Sequence, residues 1–117
     1  MSYNVPILFL IYNRQHTTSI VLDAIRRVRP TRLFVAADGP SDEREDDHAK
    51  CQKTRNLIAN IDWDCDVKTL YRDHNLGCRA AVSSAISWFF DHVEEGIILE
   101  DDCLPSASFF RYCQEML

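Results

Sequence analysis

Glu100, Asp101 and Asp102 are three consecutive carboxylates at the end of a short apolar run, Gly96-Ile97-Ile98-Leu99. Like charges at that spacing repel one another. A divalent cation or a ring of hydrogen-bond donors relieves such crowding, and hard oxygen ligands favour Mg²⁺ or Mn²⁺ over softer metals. An acidic group at the exit of a buried strand therefore suggests a metal held for a phosphate-bearing ligand. The competing reading is a solvated acidic loop. Further polar signals stand at Asn13-Arg14, Asp38 and Asp73-His74, each following an apolar run.

The elements that must position these residues are legible as alternating patterns. Val5 to Tyr12, Leu33 to Ala37, Val67 to Tyr71 and Ile97 to Leu99 are short apolar runs of the kind buried in parallel sheets. Between them, Thr17 to Arg29 carries apolar residues at 20, 21, 24, 25 and 28, and Pro30 ends the pattern. Ser41 to Ile61 is predicted as one long helix with Ser41 as its N-cap, and the acids from Asp42 to Asp47 as its solvated first turns. A third helix opens at Cys78, with Val82, Ala85, Ile86, Phe89 and Val93 on one face and Trp88 and Phe90 widening it into the core. Pro105-Ser106 opens a fourth with Phe109, Phe110, Cys113 and Leu117. This alternation predicts an α/β fold, a Rossmann-like, mostly parallel sheet with helices on both faces. Ligands in such sheets bind beyond the carboxyl ends of the strands. All four polar signals fall on that one rim.

Bulk properties narrow the function classes. The 117 residues suffice for one domain and one core. The net charge of −5 disfavours nucleic acid as a partner. No apolar stretch approaches a membrane span, and Met1-Ser2-Tyr3-Asn4 does not open a secretory leader. The five cysteines form no Cys-x-x-Cys pair, so neither a disulfide framework nor a zinc site is suggested. A reducing cytoplasmic setting is the expectation. Tyr12-Asn13-Arg14-Gln15-His16 holds no glycine where a dinucleotide fold needs Gly-x-Gly-x-x-Gly. A P-loop and a nucleophile elbow are likewise missing, and Arg14 after the first strand fits a phosphoacceptor receiver poorly. No His-x-x-x-His pair joins His16, His48, His74 or His92. Asn13 is read as a cap, Asp64 and Asp66 as marking a strand entry, and Cys103 as a poor partner for a hard cation.

Four stretches, "PILFLIYNR", "LFVAADGP", "NLGCRAAVSSAISWFF" and "GIILEDDCLPSASFF", resemble the nucleotide-binding half of the GT-A glycosyltransferases. The last is the most specific, and is similar to the Glu-Asp-Asp form of the metal motif in the N-acetylglucosaminyltransferase-like branch. The resemblance implies Mn²⁺ or Mg²⁺ as cofactor and a nucleotide-diphosphate sugar as donor. By position it implies that Asp102 contacts the metal, that Asp101 meets the ribose hydroxyls and that Glu100 supports them. Asp38 would accept from the base or ribose. Arg14 would bind the nucleotide or diphosphate, or orient Asp38 through a bidentate pair. Arg79 would donate to phosphate, or pair with the acidic rim.

The resemblance further implies that residues 1–117 are the N-terminal, nucleotide-sugar-binding portion of a longer enzyme. The acceptor, a glycan or lipid-linked sugar, and the general base would belong to the remainder, and the chain alone is expected to be inactive. An open edge at the fourth strand is then expected to drive self-association. Two alternatives stand beside this reading: a non-catalytic α/β module binding a nucleotide or protein, and a nucleotidyltransferase, which would need a Gly-rich basic loop after strand one.

Overall fold

The computed structural model describes residues 3–117. Among them, four strands form one parallel sheet: β1 (Ile7–Ile11), β2 (Arg32–Ala37), β3 (Asp66–Tyr71) and β4 (Ile97–Glu100), in the order β3-β2-β1-β4. Four α-helices connect and follow them: α1 (Gln15–Val28), α2 (Asp47–Asn56), α3 (Cys78–Phe90) and α4 (Ala107–Met116). The α/β sheet read from the sequence is the fold.

Side-chain alternation along β1 divides the core in two. Ile7, Phe9 and Ile11 face Val21, Leu22 and Ile25 of α1, with Ile58, Trp63 and Phe110 completing that layer. Leu8 faces the other way, onto Phe34, Ala85, Phe89 and Val93. Each fully buried aliphatic or aromatic side chain of this kind contributes about 1.5–3 kcal/mol. Phe34 and Phe89 meet edge to face at 5.0 Å between ring centres. The α1 pattern ends at Arg29, whose left-handed φ of 52° turns the chain into Pro30. Tyr3 donates its hydroxyl to the Phe110 carbonyl at 2.7 Å and so ties α4 to the start of the chain.

Three expectations need correction. The helix predicted from Ser41 to Ile61 begins only at Asp47 and gives way after Asn56 to a 3₁₀ turn, Ile58–Asn60. Ser41 does not cap a helix there. Its N–H is drawn 2.8 Å from the Asp47 carboxylate, which folds residues 41–46 into turns. Nor is α3 deeply buried, because it covers its face of the sheet alone: Ala85 and Phe89 are buried while Phe90 is 43% exposed. The first strand is shorter than its apolar run, since Val5 and Pro6 precede it and Tyr12 lies past its end.

The fourth strand lies at the sheet edge and, among the described residues, pairs only with β1. No helix is long and apolar enough to cross a membrane among the described residues.

Candidate functional site

Strand order reverses between β1 and β4, because the chain runs outward from β1 to β3 and then returns to the other side of β1. Such a reversal opens a crevice at the carboxyl ends of the strands. A cavity of about 510 Å³ occupies this rim. Leu10, Ala36, Leu70 and Ala85 contribute apolar floor, and Glu100, Asp101 and Asp102 stand at one end.

The register sets the order of the polar residues. Leu10 pairs with Glu100, Ile11 with Ala37, and Ala37 with Tyr71. Asp102, Tyr12, Asp38 and Arg72, each one or two residues past the end of its strand, all line the cavity. Three strand spacings of about 4.8 Å separate the outer strands β4 and β3 by about 14 Å.

At the acidic end, Glu100, Asp102 and Cys103 offer ligand atoms within 4.8 Å of one another. The two carboxylates are hard, exposed oxygen donors and suit Mg²⁺ or Mn²⁺, with positions left for a ligand's oxygens. The Cys103 thiol donates to Asp102 Oδ1 at 3.6 Å, and that contact pushes it above the usual thiol range. Asp101 is half-buried. Its carboxyl is raised above the usual range by burial and by the charges of Asp102 and Glu100, against the lowering influence of Arg14.

Arg14 pairs with Asp102, Nη1 to Oδ2 at 3.6 Å. The suggested bidentate pair with Asp38 is not formed. Instead Asp38 accepts from the protein itself. Oδ1 takes the N–H groups of Gly39 and Leu76, each at 2.8 Å, and Oδ2 takes the Gly77 N–H at 3.1 Å and Asn75 Nδ2 at 3.2 Å. Four bonds use the roughly four lone-pair directions of a carboxylate. Asp38 therefore holds the 75–77 loop as a cavity wall. Gly39 permits the approach, since a Cβ there would collide with the His74 backbone. Gly77 completes it with a φ of +88°. Arg79, in the first turn of α3, is exposed, lies off the cavity lining and forms no ion pair among the described residues, so the suggested pairing with the acidic rim is not made.

Asp47 is the residue that sequence reasoning missed most clearly. It is fully buried, although it ends a run taken as solvated. Its Oδ2 accepts the Tyr12 hydroxyl and the Ser41 N–H, and its Oδ1 accepts Asn13 Nδ2 at 2.7 Å. Burial alone would raise this carboxyl, but the three donors outweigh it and hold it below the usual carboxylate range. Burial and donation to Asp47 push the Tyr12 phenol upward in turn. Asn13 thus anchors to Asp47 rather than capping α1. Asn75 Nδ2 reaches Tyr12 Oη at 3.3 Å, which links this network to Asp38. Arg44 and Arg72 also line the cavity, and neither forms an ion pair among the described residues. The signal for Arg72 was its place directly after the third strand.

No protein-family model, curated protein or solved structure matches the chain.

Proposed function

We propose that this chain is the donor-binding part of a metal-dependent glycosyltransferase of the GT-A kind, taking a nucleotide-diphosphate sugar. The observation that carries the reading is the pair of exposed carboxylates, Glu100 and Asp102, at the β1–β4 crevice, opening onto a 510 Å³ cavity with an apolar floor. Glu100 and Asp102 would hold Mn²⁺ or Mg²⁺, which when bound supplies charge stabilisation to a departing diphosphate. Arg14, already within 3.6 Å of Asp102, adds a second positive charge beside the diphosphate. Asp101, the half-buried carboxyl beside Asp102 in the cavity lining, accepts from ribose hydroxyls. Asp38 serves by shaping the loop that closes the cavity. The acceptor would be a glycan or lipid-linked sugar.

One observation favours the non-catalytic alternative: the Arg14 guanidinium, 3.6 Å from Asp102, itself offsets that carboxylate's charge. A thermal-shift screen of nucleotide-diphosphate sugars with and without Mn²⁺ separates the two. Ligand binding to the folded state raises the melting temperature by mass action. A donor that protects only with Mn²⁺ supports the transferase reading. Equal protection with and without Mn²⁺, or none from any donor, sinks it.

A further inference from the structure

Resting on that donor-site reading, we propose that Asp47, which touches no ligand itself, is the positioning residue that sets Arg14 against Asp102. Asp47 opens α2, is fully buried and lies outside the cavity lining, whereas Tyr12, Arg14, Ser41 and Arg44 all belong to that lining. β1 ends at Ile11 and α1 begins at Gln15, so Tyr12, Asn13 and Arg14 make the whole connection between them. Two of those three residues are tied to Asp47 by their side chains. Tyr12 donates its hydroxyl to Oδ2, and Asn13 donates Nδ2 to Oδ1 at 2.7 Å. The third, Arg14, makes no side-chain cap bond to α1 and extends instead to Asp102 at 3.6 Å.

The anchor requires a carboxylate. Both oxygens accept, and their donors arrive from two loops, since Oδ2 also takes the Ser41 N–H at 2.8 Å. An amide in this place would offer one oxygen and turn an amino group toward a donor. A buried charge gives up its hydration, and apolar residues of similar volume are often at least as stabilising. What Asp47 secures is therefore one geometry. The second loop is braced with the first: the Arg44 N–H donates to the Ser41 carbonyl and the Asp47 N–H to the Arg44 carbonyl, each at 3.3 Å. Asn75 Nδ2, 3.3 Å from Tyr12 Oη, joins the 75–77 wall to the same anchor. The Arg14 side chain is 60% exposed, so little packing holds it, and the position of its backbone decides where its guanidinium falls. A displacement of about 1 Å at such a group is enough to spoil a productive contact.

The test is calorimetry on wild type, Asp47→Ala, Arg14→Ala and the double variant. Each is titrated with Mn²⁺ alone, and with uridine and guanosine diphosphates in the presence of Mn²⁺. Acting through Arg14, Asp47→Ala reproduces the signature of Arg14→Ala: Mn²⁺ alone binds more tightly and the diphosphate more weakly. Each change is about twofold to fivefold, the scale of an exposed ion pair. The double variant then matches Arg14→Ala, because the two substitutions break one link. A merely structural role lowers both affinities together and adds to the effect of Arg14→Ala. If Asp47→Ala does not fold, Asn13→Ala cuts the same link, leaves Asp47 its other two donors and decides in the same assay. Wild-type affinities, parallel losses or additivity in the folded variants overturn the role of Asp47 and leave the donor-site reading standing. An Arg14→Ala variant indistinguishable from wild type overturns it as well, since Asp47 would then have nothing to position. Failure of the wild type to bind Mn²⁺ and either diphosphate overturns both readings.

Discussion

Arg14 and Asp102 face one another across the gap between β1 and β4, at 3.6 Å, with 60% and 53% of their side chains exposed. An exposed pair of this kind contributes about 0–1 kcal/mol, so its presence is not explained by stability. It joins the two strands where the topology reverses, and it puts a cation beside the one acidic group a metal would need. Arg14→Ala is expected to leave thermal stability within about 0.5 kcal/mol of wild type. Without the competing cation, Mn²⁺ alone binds more tightly, while uridine diphosphate in the presence of Mn²⁺ binds more weakly. Calorimetry of the two titrations checks this, and a change of both affinities in the same direction contradicts it.

Asp47 gives a prediction with a definite sign. Its donors depress the carboxyl in the folded chain. Such a group adds stability above its unfolded value of about 3.9 and gives it up as pH falls through the lower folded value. Asp47→Asn is therefore expected to cost about 2–3 kcal/mol near neutrality and to flatten the acid limb of the stability curve. Asp101 has the opposite sign, because its carboxyl is raised. Its contribution is complete below the unfolded value and is lost as pH rises through the folded one, so Asp101→Asn gains on wild type toward neutral pH. Urea titrations from acid to neutral pH read both slopes.

The sheet was legible because period and punctuation agreed. Four apolar runs, each followed by polar residues, fixed the rim before any contact was known. The start of α2 was not legible. Acids followed by Lys50, Lys53 and Arg55 satisfy a helix dipole equally well as turns or as helix, and only the contacts of Asp47 with Tyr12, Asn13 and Ser41 decide. The same limit applies to Asp38 and Arg72. Asp38 is held by Leu76 and Gly77 and Arg72 by Ser84 because of where those residues fall in space, and the local sequence carries no trace of that.

Gly39 tests the wall that Asp38 holds. A methyl group there meets the His74 backbone, which cannot move aside as a side chain would. Gly39→Ala is expected to cost about 1–3 kcal/mol. It also releases the 75–77 loop, read as faster amide exchange at Leu76 and Gly77, whose N–H groups Asp38 binds. Wild-type protection at those two amides contradicts the assignment.

The self-association expected from the sequence would run through the β4 edge. Its outer hydrogen-bonding side is unpaired among the described residues, Ile98 is 38% exposed, and Phe109, Tyr112 and Met116 line the outer side of α4. Analytical ultracentrifugation should show mass increasing with concentration, reduced when Ile98 is replaced by Lys. A single monomeric species at high concentration runs against it.

The central claim is that Asp102 binds an ion that in turn binds a diphosphate. Calorimetric titration of uridine and guanosine diphosphates into wild type and Asp102→Ala, each with Mn²⁺ and with chelator, tests it most directly. The account predicts saturable binding in wild type with Mn²⁺ and loss of at least about tenfold in affinity on chelation or substitution. Equal affinity in all four conditions would contradict it.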